Sequence, residues 1–324
     1  MGLKYKKKES FFSKTLNFCA TLLVAYFIGT QVIGASGNTL RFAQISDVHL
    51  ATDEQNTSYK MLEDSKDLLK DAVLQVNTAP GLDFVMFTGD MVNKPKSNQM
   101  MEFISVAKQL CVPWYISIGN HDVDFDGKFT KKDVLKLISS HNLHFSEQKP
   151  YYTFRPQKGF KAIVLDTMID YRVTSNGEVP KEQLDWMDKE VAKTPDKDVI
   201  LVFSHVPIIE PYPSEHHRLL NSNEVLKHLY SYKRPIILFA GHYHGAKVIK
   251  DGKLLFVSAP SLVSYPNAFR VVNINSQRDK ILVDLYFKET NLKDVQTRSK
   301  LRVIFTSLLE GEERDRIGTY ELEK

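Results

Sequence analysis

Cysteine is nearly absent from this chain. Its 324 residues hold two, Cys19 and Cys111, and Cys19 falls in an N-terminal stretch with a different character from the rest. A disulfide framework is therefore excluded, and the fold must rest on its core and on bound metal, if any. Internal repeats and low-complexity segments are missing too. One-signed charge is scarce where it would matter: residues 1–36 carry Lys4, Lys6, Lys7, Lys8 and Lys14 against Glu9 alone, and the remaining residues sum to zero. The body of the protein thus gives no bulk electrostatic case for binding nucleic acid or an anionic membrane. Apolar residues make up 43% and charged residues 25%, ordinary for a globular chain long enough for one large α/β domain.

The N-terminus reads separately. A basic head, "MGLKYKKKESFFSK", precedes an apolar middle, "TLNFCATLLVAYFIG", and then the small residues of "TQVIGASG". This is the layout of a signal peptide with cleavage between Gly34 and Gly37. An uncleaved membrane anchor is the alternative, because no charge occurs between Lys14 and Arg41 and roughly 20 apolar residues span a bilayer. Either way the domain is expected outside the cytoplasm, periplasmic or extracellular, with membrane contact only through this segment. The expected organisation is a leader or anchor at 1–36, one main domain at 37–290, and a charged helix and tail at 291–324.

Five short apolar runs end alike. "RFAQIS" (41–46) leads into Asp47-Val48-His49, "DFVMFT" (83–88) into Gly89-Asp90, and "PWYISI" (113–118) into Gly119-Asn120-His121-Asp122. "DVILVFS" (198–204) leads into His205, and "IILFA" (236–240) into Gly241-His242-Tyr243-His244. Each reads as a buried strand. Helical spacing at 58–76 and 181–192 lies between them, so the runs predict parallel pairing with helices outside the sheet. Polar residues then gather at the carboxyl ends of the strands, where α/β sheets place their sites. After Gly245 the alternation stops, and consecutive strands predict a second, more antiparallel sheet, which the runs at 151–156 and 160–166 would begin. The tail from Asn291 predicts a docked helix, with Leu301, Ile304, Phe305 and Leu308 as its apolar stripe, and a solvated end.

The strand ends supply Asp47, His49, Asp90, Asn120, His205, His242 and His244. Carboxylates with imidazoles suit Mn, Fe or Zn better than calcium. Seven ligands are too many for one ion and fit two if a carboxylate bridges, the arrangement used for in-line displacement at phosphorus. Gly89, Gly119 and Gly241 are expected to turn the backbone sharply into the site. His141, His144 and His228 have no partner pattern. The loop "VPIIEPYPSEHHRLL" (206–220) reads as exposed and polar, with His216 or His217 as alternative phosphate contacts.

The series "DVH … GDMVN … GNHD … SHVP … GHYH" resembles the calcineurin-like metallophosphoesterase signature, over roughly residues 40 to 287. The resemblance implies an α/β fold, a four-layer α/β/β/α sandwich of two mixed sheets flanked by helices, with a dinuclear metal site at one edge. It implies that Asp47, His49, Asp90 and His244 hold one metal. Asp90 would bridge to a second, held also by Asn120, His205 and His242, and a metal-activated hydroxide would attack phosphorus in line. His121 matches the family's non-ligand histidine, which protonates the leaving oxygen, and Asp122 would orient that ring and tune its charge.

Three branches fit poorly. Met91-Val92-Asn93-Lys94 replaces the Val-Asp-Arg-Gly that follows Gly-Asp in protein serine/threonine phosphatases. Asn93 stands where purple acid phosphatases have a metal-binding tyrosine, and His121 where lipid A precursor hydrolases have arginine. "VLDT" (164–167), "GEVPKEQLDWMDKEV" (177–191) and "APSLVSYPNAFRVV" (259–272) are similar to the bacterial class III cyclic nucleotide phosphodiesterases. A phosphodiester, with nucleotides as candidates, is therefore the expected substrate. An extracytoplasmic phosphomonoesterase is the alternative. A non-catalytic phosphoesterase-like scaffold would be marked by loss of a ligand or of His121, and none is lost.

Overall fold

The computed structural model describes residues 38–324; the leader or anchor expected at 1–36 lies outside them. Among the described residues no helix is long and apolar enough to cross a membrane.

Among the described residues, twelve strands form two six-stranded sheets. The first contains β1 (Asn38–Ile45), β2 (Phe84–Thr88), β3 (Trp114–Ser117), β10 (Ala268–Ser276), β11 (Lys280–Glu289) and β12 (Ile317–Glu323), in the order β12-β11-β10-β1-β2-β3. The second contains β4 (Tyr152–Phe154), β5 (Phe160–Val164), β6 (Val199–Phe203), β7 (Ile236–Ala240), β8 (Lys247–Asp251) and β9 (Leu254–Ser258), in the order β4-β5-β6-β7-β9-β8. Central strands such as "FVMFT", "VILVF" and "IILFA" are buried throughout, because helices cover one face and the other sheet covers the opposite one. The inner faces meet through aromatic rings. Phe42 stacks on Phe84 within the first sheet at 4.7 Å and meets Phe203 and Phe239 of the second edge-on at 5.7 and 5.2 Å.

Helices lie on the outer faces. α1 (Ser65–Thr78) buries Leu68, Leu69, Ala72, Val73 and Val76. α2 (Ser97–Ala107) sets Phe103 against Phe87 and Trp114, and α3 (Lys131–His141) starts in a capping box at Thr130 and Asp133. On the second sheet α4 (Lys181–Ala192) ties to β5 through Lys161 and Glu190 at 2.6 Å, and α5 (Ser222–Ser231) follows. This is the expected sandwich of two mixed sheets flanked by helices.

Two details differ from expectation. The five motif-bearing strands split between the sheets, and the later strands are shared out: β8 and β9 extend the second sheet, β10 to β12 the first. Apolar periodicity tells a strand from a helix but not its sheet. The tail is the second correction. It forms α6 (Lys293–Arg302), α7 (Thr306–Glu310) and α8 (Glu313–Arg316), then β12 pairs antiparallel with β11. Buried Asp315 accepts from Val248 N and Lys247 Nζ, and buried Arg270 donates to Asp315 O and Ser258 O. The predicted apolar stripe is solvent-facing instead, with Leu301 83% and Ile304 87% exposed. An edge strand is specified by backbone pairing, which the charged side chains of β12 do not announce.

Candidate metal centre

The site forms where strands of both sheets end. β1, β2 and β3 deliver Asp47, His49, Asp90 and Asn120 from one sheet; β6 and β7 deliver His205, His242 and His244 from the other. Five of these residues have left-handed backbone: Asp47 (φ 51°), His49 (41°), Asp90 (51°), His242 (72°) and His244 (56°). Such conformations cost on the order of 1 kcal/mol or more each outside glycine and persist only where the surroundings impose them. Here Asp47 N donates to Gly89 O, His49 N to Asp90 O, and Gln44 Nε2 reaches Ala240 O across the two sheets.

The glycines serve two purposes. Gly89 has φ 88° and makes the expected turn. Gly119 and Gly241 do not adopt positive φ. A methyl group at 119 would collide with Asp90, and one at 241 with Ser46 and Asp47, so these two permit close approach rather than a bend.

The side chains form two donor groups that meet at Asp90. On one side His49 Nε2 lies 3.1 Å from His244 Nε2 and 3.4 Å from Asp90 Oδ2, and His244 Nε2 lies 3.5 Å from Asp47 Oδ1. On the other, His205 Nε2 lies 3.4 Å from Asp90 Oδ1, 3.2 Å from Asn120 Oδ1 and 3.1 Å from His242 Nδ1. Asp90 therefore turns one oxygen to each group. Atoms sharing one ion at about 2.0–2.2 Å stand about 3–3.5 Å apart, and all six spacings fit. The donor set suits a pair of divalent or transition ions.

Outer partners fix the rings. His205 Nδ1 donates to Thr88 O at 2.8 Å, and His244 Nδ1 lies 2.8 Å from Ser264 Oγ, so both present Nε2 inward. Ser46 Oγ donates to Asp47 Oδ2 at 2.6 Å. Burial is the strongest influence on every group here. It lifts Asp47 to about 7 and pushes His49, His242 and His244 well below the usual imidazole range, toward the neutral form that ligates. Burial would lower His205 as well, but the adjacent Asp90 carboxylate prevails and holds it at about 9. Asp90 stays well below the carboxylate range despite burial, because His205, His121 and His49 surround it.

His121 sits beside these groups. Its backbone N donates to Asp90 Oδ1 at 2.9 Å, and its Nδ1 donates to Asn93 O at 2.8 Å, leaving Nε2 for the site. His121 also clusters with His49 and Asp90, but Lys60 Nζ lies 3.5 Å from its Nε2, a poor neighbour for a third cation. Asp122 does not touch the His121 ring. Its oxygens accept from Gly119 N (2.8 Å) and Val92 N (3.1 Å), so it holds the two loops together, and the expected role of orienting and tuning the imidazole passes to the Asn93 carbonyl. The reason is geometric: Asp122 points beneath the turn that carries His121.

Sequence reasoning also missed Lys60. It is 5% exposed, with Nζ 3.1 Å from His49 Nδ1, and burial pulls it down to about 8. Nothing in "NTSYKML" singles it out. Tyr59, half-exposed, sets its ring 5.8 Å from that of His244. Of the loop histidines, exposed His217 has its ring 5.3 Å from that of His242. His228, which had no expected partner, pairs with Asp188 at 2.9 Å.

Comparison with known proteins agrees with this architecture. The model of the calcineurin-like phosphoesterase family matches residues 40–246. A probable glycerophosphodiester phosphodiesterase of Arcobacter nitrofigilis is 28% identical over 223 residues, covering 67% of this chain and 77% of its own. A probable cyclic nucleotide phosphodiesterase of Fibrobacter succinogenes is 25% identical over 224 residues, covering 68% and 78%. The crystal structure of a dimetal phosphatase from Danio rerio superposes with a TM-score of 0.62 at 16% identity, over 88% of this chain and 98% of that one.

Proposed function

Since the chain belongs to the calcineurin-like phosphoesterase family, a family of dimetal phosphoesterases, we propose that it hydrolyses a small phosphodiester. Nucleotides are candidate substrates. The observation that carries the reading is Asp90, whose two oxygens each face a complete donor group. Asp47, His49, His244 and Asp90 would hold one ion, and Asp90, Asn120, His205 and His242 the other. When bound, such a pair lowers the pKa of a water and neutralises charge on the phosphoryl oxygens.

The chain's own residues supply the rest. His121 Nδ1 donates to Asn93 O, so Nε2 is the nitrogen turned toward the leaving oxygen; it would deliver a proton there from the imidazolium form, which burial disfavours and the Asp90 carboxylate supports. Asp122 holds the turn that carries it. Six of the seven ligands are buried, Asn120 being the exception, and that burial holds their donor atoms in place. Diester preference is supported by the diesterase names of relatives at 28% and 25% identity and by the segments at 164–167, 177–191 and 259–272. The proposed setting is extracytoplasmic, supported by the basic head and apolar run of residues 1–36; N-terminal sequencing of exported protein tests it.

The test of the activity compares bis-p-nitrophenyl phosphate with p-nitrophenyl phosphate, using manganese-loaded protein and an EDTA-stripped control. Faster, metal-dependent cleavage of the diester is expected. A monoester preference would replace the diester reading, and turnover unaffected by EDTA would remove the metal from it.

A further inference from the structure

Lys60 is a buried ammonium; no carboxylate among the described residues pairs with it directly, and Asp90, Asp47 and Glu54 favour its charge only from farther away. Burial outweighs them, so part of the cost of burying this charge is left uncompensated. Its placement is not loose. Lys60 N donates to Thr57 Oγ1 at 2.9 Å, Thr57 N donates to Lys60 O at 3.0 Å, and the next residue, fully buried Met61, donates its N to Val263 O at 2.9 Å. A tight turn pinned into the core thus aims the side chain at the site.

The contacts of Nζ do not account for it. Thr88 O and Ser264 Oγ can each accept from the outer nitrogen of the ring they steady, but an ammonium only donates. Nζ can donate to His49 Nδ1 while that ring keeps its proton on Nε2, but a neutral His49 that presents Nε2 as a ligand carries its proton on Nδ1 and offers an ammonium no acceptor there. The other neighbour of Nζ is His121 Nε2 at 3.5 Å, the nitrogen turned toward the leaving group. An acceptor lodged on the side that Nε2 and Nζ share lies within hydrogen-bond reach of both. Two ions against the carboxylates of Asp47 and Asp90 would leave the centre with excess positive charge, so the acceptor that completes the arrangement is an anion.

We propose that Lys60 is the substrate-phosphate receptor of this site, with Nζ donating to a non-bridging phosphoryl oxygen of the ester placed between the two donor groups and His121. The proposal rests on the phosphoesterase reading for its substrate but not for its anion. A phosphomonoester dianion has more charge to lose to a missing ammonium than a diester monoanion, so Lys60 contributes more to the former and sets part of the balance between the two.

The test uses the full chain loaded with manganese, comparing wild type with Lys60→Met, Lys60→Gln and Lys60→Arg. Inorganic phosphate is the binding probe, titrated calorimetrically, and metal content is measured alongside. Both Met and Gln variants should keep two equivalents of metal and bind phosphate about ten- to a hundredfold more weakly, the range of a charge-assisted hydrogen bond. Arg should stay within severalfold of wild type. With p-nitrophenyl phosphate the variants should lose more kcat/KM than with the bis-ester. Wild-type phosphate affinity in the Met variant, or in the Gln variant if Met does not fold, overturns the proposal. Loss of a metal equivalent overturns it as well, by assigning Lys60 to the support of His49. If wild type cleaves neither ester yet binds phosphate through Lys60, the activity reading fails and this one stands.

Discussion

The two donor groups share Asp90 but are not alike. The group with Asp47, His49 and His244 carries a second carboxylate, and all its protons can leave near neutrality: Asp47 rests at about 7, and burial holds both imidazoles well below their usual range. The group with Asn120, His205 and His242 has an uncharged amide in place of that carboxylate, and Asp90 keeps His205 protonated up to about 9. Ligand charge and proton competition both favour the first group, so the proposed pair of ions should load in sequence. One residue belongs equally to both halves, which makes it the place where the comparison breaks.

That residue gives the largest effect. Asp90→Asn replaces the shared carboxylate by an amide that offers one acceptor, weakening both halves together. Charge stabilisation by bound metal is worth several kcal/mol, so turnover should fall about a thousandfold or more, with metal content dropping below one equivalent. Activity near wild type with both ions retained would remove Asp90 from its bridging place. His121→Ala comes next and should spare both halves. Metal content should stay at two equivalents while kcat falls about a hundredfold, the usual contribution of a positioned acid. Loss of metal would instead make His121 a ligand.

Proton release sharpens the difference between the halves. A ligand that holds a proton in the metal-free protein must give it up to bind. His205, at about 9, is protonated at pH 7 to 8; Asp47, at about 7, is largely ionised by pH 8. The weaker binding step should therefore release about one proton at pH 7.5, and its affinity should rise about tenfold per pH unit up to about pH 9. The stronger step should level off above about pH 7. Manganese titrations in buffers of different ionisation enthalpy count these protons. Two steps with identical pH dependence would mean that the halves are equivalent.

The centre was legible in the sequence because its signal lies in side-chain identity. Asp47, His49, Asp90, Asn120, His205, His242 and His244 each follow a strand that its own apolar run announces, and the structure brings all seven together. Backbone chemistry was not legible. The Asn93 carbonyl that holds His121 has no residue type, and the pairing that builds β12 runs through main-chain groups. Lys60 was invisible for a related reason: a lysine after "NTSY" reads as solvated, and only the turn at Thr57 and the buried Met61 bring it inward. The tail's apolar residues suggest a docked face, whereas Asp315 and Arg270 are what fasten it.

The smallest effect belongs to Asp122, which touches neither donor group and grips the loops bearing Asp90 and His121 from below. Asp122→Asn keeps an oxygen for one of the two backbone donors, so turnover should change less than about tenfold, the scale of one hydrogen bond. Its stability should depend on pH in a telling way. Burial, and then the nearby Asp90, raises the Asp122 carboxyl to about 7, so the metal-free native state holds this proton more tightly than the unfolded chain does. Stability from that difference is fully present below about pH 4 and is lost as pH rises through 7. The asparagine variant has no such proton. Its Tm, measured without metal, should gain on that of wild type between pH 5 and pH 8, and a gap that stays constant or widens would show that Asp122 is ionised in the native protein throughout.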